Sequence, residues 1–314
     1  MSALLSYGEV LVDFLPVNKP ELSYSPMAGG APANVAVAYA KLGGSSYFAG
    51  GVGDDVFGGM LHSQLAQAGV NTQYTATIPG AKTALVVVGL DENGERSFSF
   101  YRHDTADMRY ERQYIESIDW QNIEIFHFCS NTLTNRVMHE NTQYCLERAK
   151  NAGALSSFDV NLRQQLWSQP NNLPARVEQC IKASDLIKLS REEADYLALR
   201  AGMSYRGYLA KLLTLGVSLI LVTDGAKPVQ LITNHHVEAV NVPKITPVDT
   251  TAAGDSFIAG FLYSLSVLGQ GVGLQSTLKT PELVRKAVLF GSKCGAYTCQ
   301  QKGAFTALPR YQDI

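Results

Sequence analysis

A run of small residues meets an apolar helix pattern late in the chain, and a single carboxylate, Asp255, lies at the junction. The run, Asp-Thr-Thr-Ala-Ala-Gly, covers residues 249–254, and the apolar segment begins at Phe257. Small residues let backbone N–H groups approach an anion, and a helix N-terminus adds partial positive charge. Phosphoryl transfer needs such stabilisation, together with a carboxylate that accepts a hydroxyl proton. The residues alone leave open that Asp255 only caps the helix.

A second stretch that could touch a ligand lies near the N-terminus. Gly29 and Gly30 lead through Pro32 into an Ala/Val-rich helix pattern. Glycine lets the backbone approach a ligand closely, and Asn34 carries donor and acceptor groups suited to sugar hydroxyls. A glycine turn before a helix is common, so a purely structural role also stays open.

Short apolar runs alternate with amphipathic stretches over most of the 314 residues. We predict buried strands at residues 45–52, 123–129, 154–160, 185–189 and 217–223. We predict helices at 32–42, 55–68, 135–152, 190–201 and 204–215, then a strand pair over 228–242, a helix from near Asp255 and a helix over 281–299. This alternation implies an α/β fold, doubly wound, with a mostly parallel central sheet flanked by helices.

Two segments break the alternation and predict a small separate sheet. Residues 11–26 suggest extended chain, and residues 83–90 and 96–102 suggest a hairpin that turns at Asn93-Gly94. Strands from both places would form a sheet standing off the main layer, and such a flap is suited to act as a lid. We therefore expect the whole chain to form a single domain, with a β-sheet lid inserted from about 11–26 and 83–105.

The composition is that of an ordinary globular protein and narrows the function classes. Hydrophobic residues make up 46% and charged residues 17%, with a formal net charge of −2. Clustered Lys and Arg are absent, which argues against a nucleic-acid or membrane surface. No apolar run of about 18 residues and no secretion signal is recognisable. The five cysteines are odd in number and lack a CxxC pair, which favours free thiols in a cytoplasmic protein.

The stretch around Asp255 resembles the C-terminal signature of the ribokinase (PfkB) family of sugar kinases, usually written DTxGAGD. The resemblance implies that Asp255 is the catalytic base. It also implies that the amides of Ala252, Ala253 and Gly254 form the anion hole. Ala252 stands where the family usually has glycine, and its N–H serves if the backbone angles there suit alanine.

The glycine loop resembles the N-terminal signature of the same family, GGxxxN, at Gly29, Gly30 and Asn34. Two signatures in the right order, more than 200 residues apart, are far more specific than either one alone. The resemblance implies that these three residues bind the sugar, with Asp255 at its reacting hydroxyl.

Two further stretches extend the resemblance over essentially the whole chain. Residues 8–13 resemble the family's opening strand, whose final residue, Asp13 here, binds sugar hydroxyls. Residues 53–58 resemble its GxDxxG stretch, which we expect to be architectural. The fold implied is the ribokinase-like one.

Other motifs bear on the sugar. Residues 100–102 and 106–108, Phe-Tyr-Arg and Ala-Asp-Met, resemble the fructokinase branch and imply that Arg102 reaches the sugar from the lid side. Its fixed fork of donors suits several hydroxyls or a carboxylate, although a solvated strand end is the alternative.

Residues 159–163 resemble a DxNxR stretch that fructokinases share with 2-keto-3-deoxygluconate kinases. It implies Asn161 near the sugar or phosphate and Arg163 near the phosphates, past a strand end where open α/β sheets bind ligands. Ala252 also resembles the deoxygluconate kinases. D-fructose is favoured as the substrate, with 2-keto-3-deoxygluconate and other sugars or nucleosides left as alternatives.

The resemblance further implies ATP and magnesium, with potassium as the expected monovalent cation. Glu193 matches a glutamate that organises magnesium through water, with Ser190 in place of the usual asparagine. Glu192, one residue away, stays an alternative, and so does a plain charged first turn of a helix. The remaining nucleotide contacts are expected at Arg163, Lys188, Thr223, Gly225 and Gly254, and the cation ligands at the carbonyls of Asp249 and Thr251.

Alternatives from other classes also remain. A non-catalytic sugar-binding regulator would share this fold, although an intact Asp255 and both signatures argue against it. A nicotinamide-dependent oxidoreductase would need a GxGxxG fingerprint, which is absent. The sequence predicts no nucleic-acid or membrane partner, and the lid sheet is a candidate contact for a homodimer.

Overall fold

The computed structural model describes residues 2–17, 23–90 and 96–314. Within them the strands are β1 (Leu4–Tyr7), β2 (Leu11–Val17), β3 (Ser23–Gly29), β4 (Ser46–Gly53), β5 (Thr75–Ile78), β6 (Leu85–Leu90), β7 (Arg96–Tyr101), β8 (Ile125–Cys129), β9 (Leu155–Asp159), β10 (Leu186–Ser190), β11 (Leu219–Asp224), β12 (Lys227–Ile232) and β13 (Val237–Val240). The helices are α1 (Ala31–Lys41), α2 (Val56–Gln67), α3 (Arg112–Glu116), α4 (Arg136–Asn151), α5 (Leu173–Lys182), α6 (Arg191–Arg200), α7 (Tyr205–Thr214), α8 (Ala253–Leu268), α9 (Leu274–Leu278) and α10 (Pro281–Cys299).

Nine strands form one large sheet in the spatial order β13-β12-β11-β10-β9-β8-β1-β4-β5. The seven strands from β11 to β5 in that order are parallel, and β12 and β13 add an antiparallel edge. Every residue of β1 and β8 is buried, as expected for strands covered on both faces. The predicted mostly parallel, doubly wound sheet is confirmed.

Helices cover both faces of the sheet and divide the core in two. On one face α1, α2, α8, α9 and α10 pack around side chains such as Leu61 and Phe261. On the other face α3 to α7 pack around side chains such as Ile115 and Tyr208. Because α1 and α8 contact each other, the two sequence signatures begin neighbouring helices.

The second sheet is small, with the order β3-β2-β6-β7. The pairs β2–β3 and β6–β7 are antiparallel, and β2 pairs with β6 in parallel. This confirms the expected separate sheet and the hairpin of β6 and β7, although β3 runs on to Gly29. The predicted turn at Asn93-Gly94 lies outside the described residues.

The expected opening strand over residues 8–13 is wrong. The core strand β1 ends at Tyr7, and the chain leaves the main sheet at Gly8, whose φ is +148°. A side chain on Gly8 would meet Pro32, because its Cβ would lie 2.6 Å from the proline Cγ. The chain therefore continues into β2 of the small sheet, and Asp13 lies inside that strand instead of ending a core strand.

The other predicted strands and helices are found within a few residues of their expected bounds, and the helix over 281–299 is found at those bounds. The helix expected from near Asp255 begins two residues earlier, at Ala253. The sequence reasoning missed β5 and the helices α3, α5 and α9. In the part of the chain that the structure describes, no helix is long and apolar enough to cross a membrane.

Candidate active site

The candidate site lies along the edge of the main sheet where the parallel strands end. Strand β1 has β4 and β5 on one side and β8 to β13 on the other, so strand order reverses beside it. Open α/β sheets bind ligands in the crevice at such a point. The segments that follow β9, β10 and β11 carry Asn161, Arg163, Glu193 and Gly225, and the start of α8 carries Asp255.

The two signatures meet in one hydrogen bond. Asn34 Nδ2, in α1, donates to Asp255 Oδ2, in α8, over 2.7 Å. The N-cap of α8 is Ala252, without a side-chain capping bond, so Asp255 does not cap the helix. Burial raises the pKa of Asp255, partly offset by the bond from Asn34 and by the Lys188 and Arg163 charges. This carboxyl is therefore a stronger base than an exposed one when it is ionised.

The turn before α8 carries backbone strain. Ala252 has φ 58° and ψ 9°, in the left-handed region that favours glycine. For an L-residue this costs about 1–2 kcal/mol. The Ala253 N–H is engaged in the turn, donating to the Thr250 carbonyl at 3.3 Å, whereas the first turn of a helix leaves N–H groups free of intrahelical partners. The strained residue is thus the N-cap of α8 itself.

A buried cation lies against this helix start. A Cβ added to Gly254 would lie 2.9 Å from Lys188 Nζ, and the same ammonium pairs with Asp159 Oδ2 at 2.9 Å. Burial alone would lower the pKa of Lys188, but the Asp159 and Glu193 carboxylates outweigh it and raise the pKa. Lys188 therefore stays charged beside the small-residue turn.

The predicted sugar residues surround a second carboxylate. A Cβ on Gly29 would come within 2.1 Å of Asp13 Oδ2, so only glycine leaves room for that side chain. Gly30 has φ +107°, and its Cβ would lie 2.6 Å from the Glu9 carbonyl oxygen. Burial raises the pKa of Asp13 to about 7. The positive charge of Arg163 opposes this rise, and the negative charges of Asp255 and Glu9 add to it. The sugar end and the phosphate end thus share one electrostatic environment.

The DxNxR segment follows β9 at the same edge. Arg163 is exposed and acts on both Asp13 and Asp255, whose pKa values it lowers. Asn161 has φ 37°, and its carbonyl accepts a bond from Ser130 Oγ at 3.3 Å. A non-glycine residue held in this conformation is typical of functional loops.

Arg102 directly follows β7 and is buried. It is not a solvated strand end, because its side chain is 2% exposed. Its Nε bonds Asp107 Oδ2 at 2.6 Å, and its Nη2 donates to the Asn131 carbonyl at 3.2 Å. Sequence reasoning missed Glu9 and Asn131 here, although a charged Glu9 directly before the apolar run Val10–Val12 was a usable signal.

An apolar cavity of about 340 Å³ lies beside the small-residue turn. Three predicted nucleotide residues, Thr223, Gly225 and Gly254, line it. Its apolar walls come from Val229, Val242, Ile245, Phe257, Ala296 and Cys299, among others. A mostly apolar cleft with few polar groups fits a purine ring.

Glu193 is tied to the loop after β9. Its Oε1 accepts from the Leu162 N–H and its Oε2 from the Ser190 N–H, both at 2.7 Å, while Ser190 Oγ caps α6. Glu192 points to solvent, so the structure favours Glu193 of the two. Each bonded carboxylate oxygen keeps a lone pair for a metal-bound water, which fits magnesium.

Hydrogen bonds hold the segment around Asp249 and Thr251, which is expected to bind the monovalent cation. Asp249 Oδ1 accepts from the Thr251 N–H at 2.9 Å, and its Oδ2 from the Gly303 N–H at 3.1 Å. The Asp249 N–H donates to the Cys299 carbonyl at the end of α10. Across residues 2–17, 23–90 and 96–314, no group of three or more His, Cys, Asp and Glu side chains is placed to hold a metal directly.

Fold and site together define an α/β phosphotransferase, with a buried carboxylate at a helix start between a polar pocket and a nucleotide-sized cleft. The sequence matches the pfkB family carbohydrate kinases over residues 1–310, and the chain belongs to this family. It is therefore a sugar kinase.

Its relatives include a fructokinase of Vibrio alginolyticus, 37% identical over 98% of this chain and 96% of that protein. Among solved structures, fructokinase with bound ATP from Xylella fastidiosa superposes with a TM-score of 0.94 at 38% identity, covering 99% and 96% of the two chains. A fructokinase double mutant from Vibrio cholerae O395, in a form with fructose, ADP and potassium ion bound, gives 0.89 at 37% identity, with the same coverage.

Proposed function

We propose that this kinase transfers the γ-phosphate of ATP to D-fructose, with fructose 6-phosphate as the product. The observation that carries the proposal is the 2.7 Å bond between Asn34 and Asp255, because it joins the sugar-side and phosphate-side signatures at one carboxylate. Full-length similarity to fructokinases supports fructose as the acceptor.

The sugar lies between the small sheet and the start of α1. Asp13 and Asn34 hold its hydroxyls, and Gly29 and Gly30 leave room for it beside the backbone. Asn161 and Arg102 complete the wall, Arg102 as a donor fixed by Asp107. Holding the acceptor in one orientation converts binding energy into rate.

In the transfer step, Asp255 accepts the proton of the attacking sugar hydroxyl. The oxygen of that hydroxyl forms a bond to the γ-phosphorus, while the bond between the γ-phosphorus and the ADP oxygen breaks. The amides at Ala252 and Gly254 and the start of α8 stabilise charge on the transferring group. The Ala253 amide joins them when it exchanges its 3.3 Å bond to the Thr250 carbonyl for the phosphate. Lys188, against Gly254, and Arg163 add positive charge at the same place.

ATP occupies the apolar cleft, with Thr223 and Gly225 beside the base and Gly254 at the phosphates. Glu193 is placed to hold magnesium through water, where the metal neutralises triphosphate charge. The carbonyls of Asp249 and Thr251 are the proposed ligands of potassium, an ion that the Vibrio cholerae fructokinase structure contains.

The small sheet serves as the lid in this proposal, from about 11–26 and 83–105. Its closure over the sugar excludes water and limits wasteful hydrolysis of ATP. We place the enzyme in the cytoplasm, where its substrates and reduced thiols fit, and propose a homodimer formed through the lid.

The test is a panel of sugars incubated with ATP and magnesium, with ADP release followed by a coupled assay, with and without potassium. We expect D-fructose to give the highest kcat/KM and potassium to raise the rate. Preference for 2-keto-3-deoxygluconate or a nucleoside would replace fructose as the acceptor. Sugar binding without any ADP release would instead indicate a non-catalytic regulator.

A further inference from the structure

A buried polar cluster lies behind the sugar end, formed by Glu9, Arg102, Asp107 and Asn131. Arg102 bonds Asp107 at 2.6 Å and the Asn131 carbonyl at 3.2 Å. Asn131 Nδ2 in turn donates to Glu9 Oε1 at 2.8 Å. The side chains of Arg102 and Asp107 are 2% and 0% exposed. The cluster is thus a fixed unit within the protein.

The cluster borders the sugar loop directly. The Glu9 carbonyl oxygen would lie 2.6 Å from a Cβ on Gly30. The Glu9 carboxylate also acts on Asp13, whose pKa it helps to raise. Any change in the charge of this cluster therefore reaches the place where the acceptor sugar is held.

One guanidinium in the cluster faces two carboxyl groups. Asp107 cancels the charge of Arg102 through the direct bond. Glu9 is 1% exposed, its Oε2 has no hydrogen-bond partner among the described residues, and burial raises its pKa. With Glu9 protonated the cluster is neutral, and with Glu9 ionised it is negative. In neither state does it offer free positive charge.

We propose that Asp107 and Glu9 are specificity-determining residues, which neutralise Arg102 and so admit an uncharged sugar while disfavouring one that carries a carboxylate. The inference rests on the proposed function, because it concerns the acceptor of the same site. An arginine without compensation would pair with a sugar carboxylate in two parallel bonds. The compensated Arg102 acts only as a positioned donor.

The test compares kcat/KM for 2-keto-3-deoxygluconate with kcat/KM for fructose in Asp107→Asn and in Asp107→Asn/Glu9→Gln, because only the loss of both carboxylates leaves Arg102 without compensation. Asparagine keeps the shape of the pair, since Thr105 Oγ, which donates to Asp107 Oδ1 at 2.6 Å, can accept instead. In Asp107→Asn/Glu9→Gln we expect the acid-to-neutral ratio to rise about tenfold, as for one gained charge-assisted bond. When Arg102→Gln is added to this variant the rise should vanish, because the freed cation is gone.

Asp104→Asn is the matched control, because this exposed carboxylate lies in the same loop and pairs with Arg109. Its ratio should equal that of the unmodified protein. An unchanged ratio in Asp107→Asn/Glu9→Gln overturns the inference, and so does a rise that persists once Arg102→Gln is added. If Asp107→Asn fails to fold, Asp107→Ser, which removes the same charge, takes its place in both comparisons.

A failure of the proposed function is recognised by a different result, namely that the unmodified protein phosphorylates no sugar. In that case the calorimetric affinities of the acid and of fructose replace the rate ratio and still test the inference. If another neutral sugar is the better acceptor, the same ratio is measured against that sugar.

Discussion

At the scale of single residues, the site depends on carboxyl groups that the fold keeps away from bulk water. Asp255 is 9% exposed and Asp13 is largely covered, and burial raises the pKa of each. Desolvation makes an ionised carboxylate a better proton acceptor, while Asn34 fixes the direction in which Asp255 points. The basicity of Asp255 thus comes from its burial, and its orientation comes from the hydrogen bond with Asn34.

Asp255→Asn should lower kcat by about 10²- to 10⁴-fold, because a positioned general base contributes on that scale. Asparagine can still accept from Asn34, so we expect the melting temperature and sugar affinity to stay close to those of the unmodified enzyme. Steady-state rates at saturating substrates and a thermal melt measure both. Asp195→Asn, an exposed carboxylate paired with Arg191, is the control and should change nothing. A variant that retains near-normal turnover would remove Asp255 from the chemistry.

The pKa of Asp13, raised from 3.8 to about 7, gives sugar binding a pH dependence. Only the ionised form accepts two hydroxyl bonds, so fructose affinity should increase as pH rises through about 7 and then level off. Calorimetry without nucleotide between about pH 5.5 and 8.5 measures this. In Asp13→Asn the affinity should be low and independent of pH; a persisting slope would assign the titration to Glu9 or Asp255.

The raised pKa of Asp13 also makes the stability of the fold depend on pH, and stability falls with rising pH where fructose affinity increases. The folded protein binds the Asp13 proton more tightly than the unfolded chain does, so this group stabilises the fold fully below about pH 4. That contribution is lost as pH rises to about 7. The melting temperature of the unmodified protein, relative to that of Asp13→Asn, should fall over this range.

At the scale of elements, one side chain ties the start of α2 to the segment that enters β6. Asp55 accepts from the Gly58 N–H at 2.9 Å as the N-cap, and from Thr83 through its N–H at 2.9 Å and its hydroxyl at 2.7 Å. Burial would raise the pKa of Asp55, but these bonds lower it overall. The GxDxxG stretch is therefore architectural, as predicted, and it anchors one edge of the proposed lid.

Asp55→Ala should destabilise the protein by about 1–2 kcal/mol, the usual effect of losing an N-cap. Because Thr83 loses its anchor as well, we also expect the KM for the sugar to rise more than the KM for ATP. Denaturant unfolding and steady-state kinetics measure the two effects. Asp54→Ala changes the exposed neighbour and serves as the control. Equal stability of the two variants would contradict the anchoring role.

Elements with strong local patterns were predictable from the sequence. The helix α10 begins at Pro281 and keeps an apolar face over 19 residues, so its bounds followed from the pattern. The edge strand β5 has only four residues, two of them threonine, and gives little periodic signal. Gly8 looked like part of a strand because only the packed Pro32 reveals why the chain turns there.

Site residues were predictable where they belong to local motifs. Asn34 and Asp255 each stand in a short run whose composition alone suggests a ligand. The bond between Glu9 and Asn131 joins residues 122 positions apart, in segments that lack such a run, so it emerged only from the fold. The sequence also placed Arg102 at a strand end without showing that Asp107 would neutralise it.

At the scale of the whole molecule, the small sheet leaves an edge open within the part of the chain that the structure describes. β7 is the last strand in its order, and Phe98 and Tyr101 on it are 50% and 63% exposed. Unpaired edge strands with exposed aromatic side chains favour pairing with another chain. This supports the proposed homodimer through the lid.

Replacing both Phe98 and Tyr101 by glutamate should convert the dimer to a monomer, because like charges would face each other across the contact. Light scattering after gel filtration measures the mass. Val272→Glu, at an exposed apolar site remote from the small sheet, is the control and should leave the mass unchanged. A monomeric unmodified protein, or a double variant of unchanged mass, would rule out this contact.

The bond from Asn34 to Asp255 also bears on the nascent protein. The two residues are 221 positions apart, so a ribosome must synthesise both segments and everything between them before the amide meets the carboxylate. A growing polypeptide that already displays its glycine loop consumes no ATP, since the second half of the reaction centre has not yet emerged. The order of translation thus keeps nascent chains that lack Asp255 inactive as kinases.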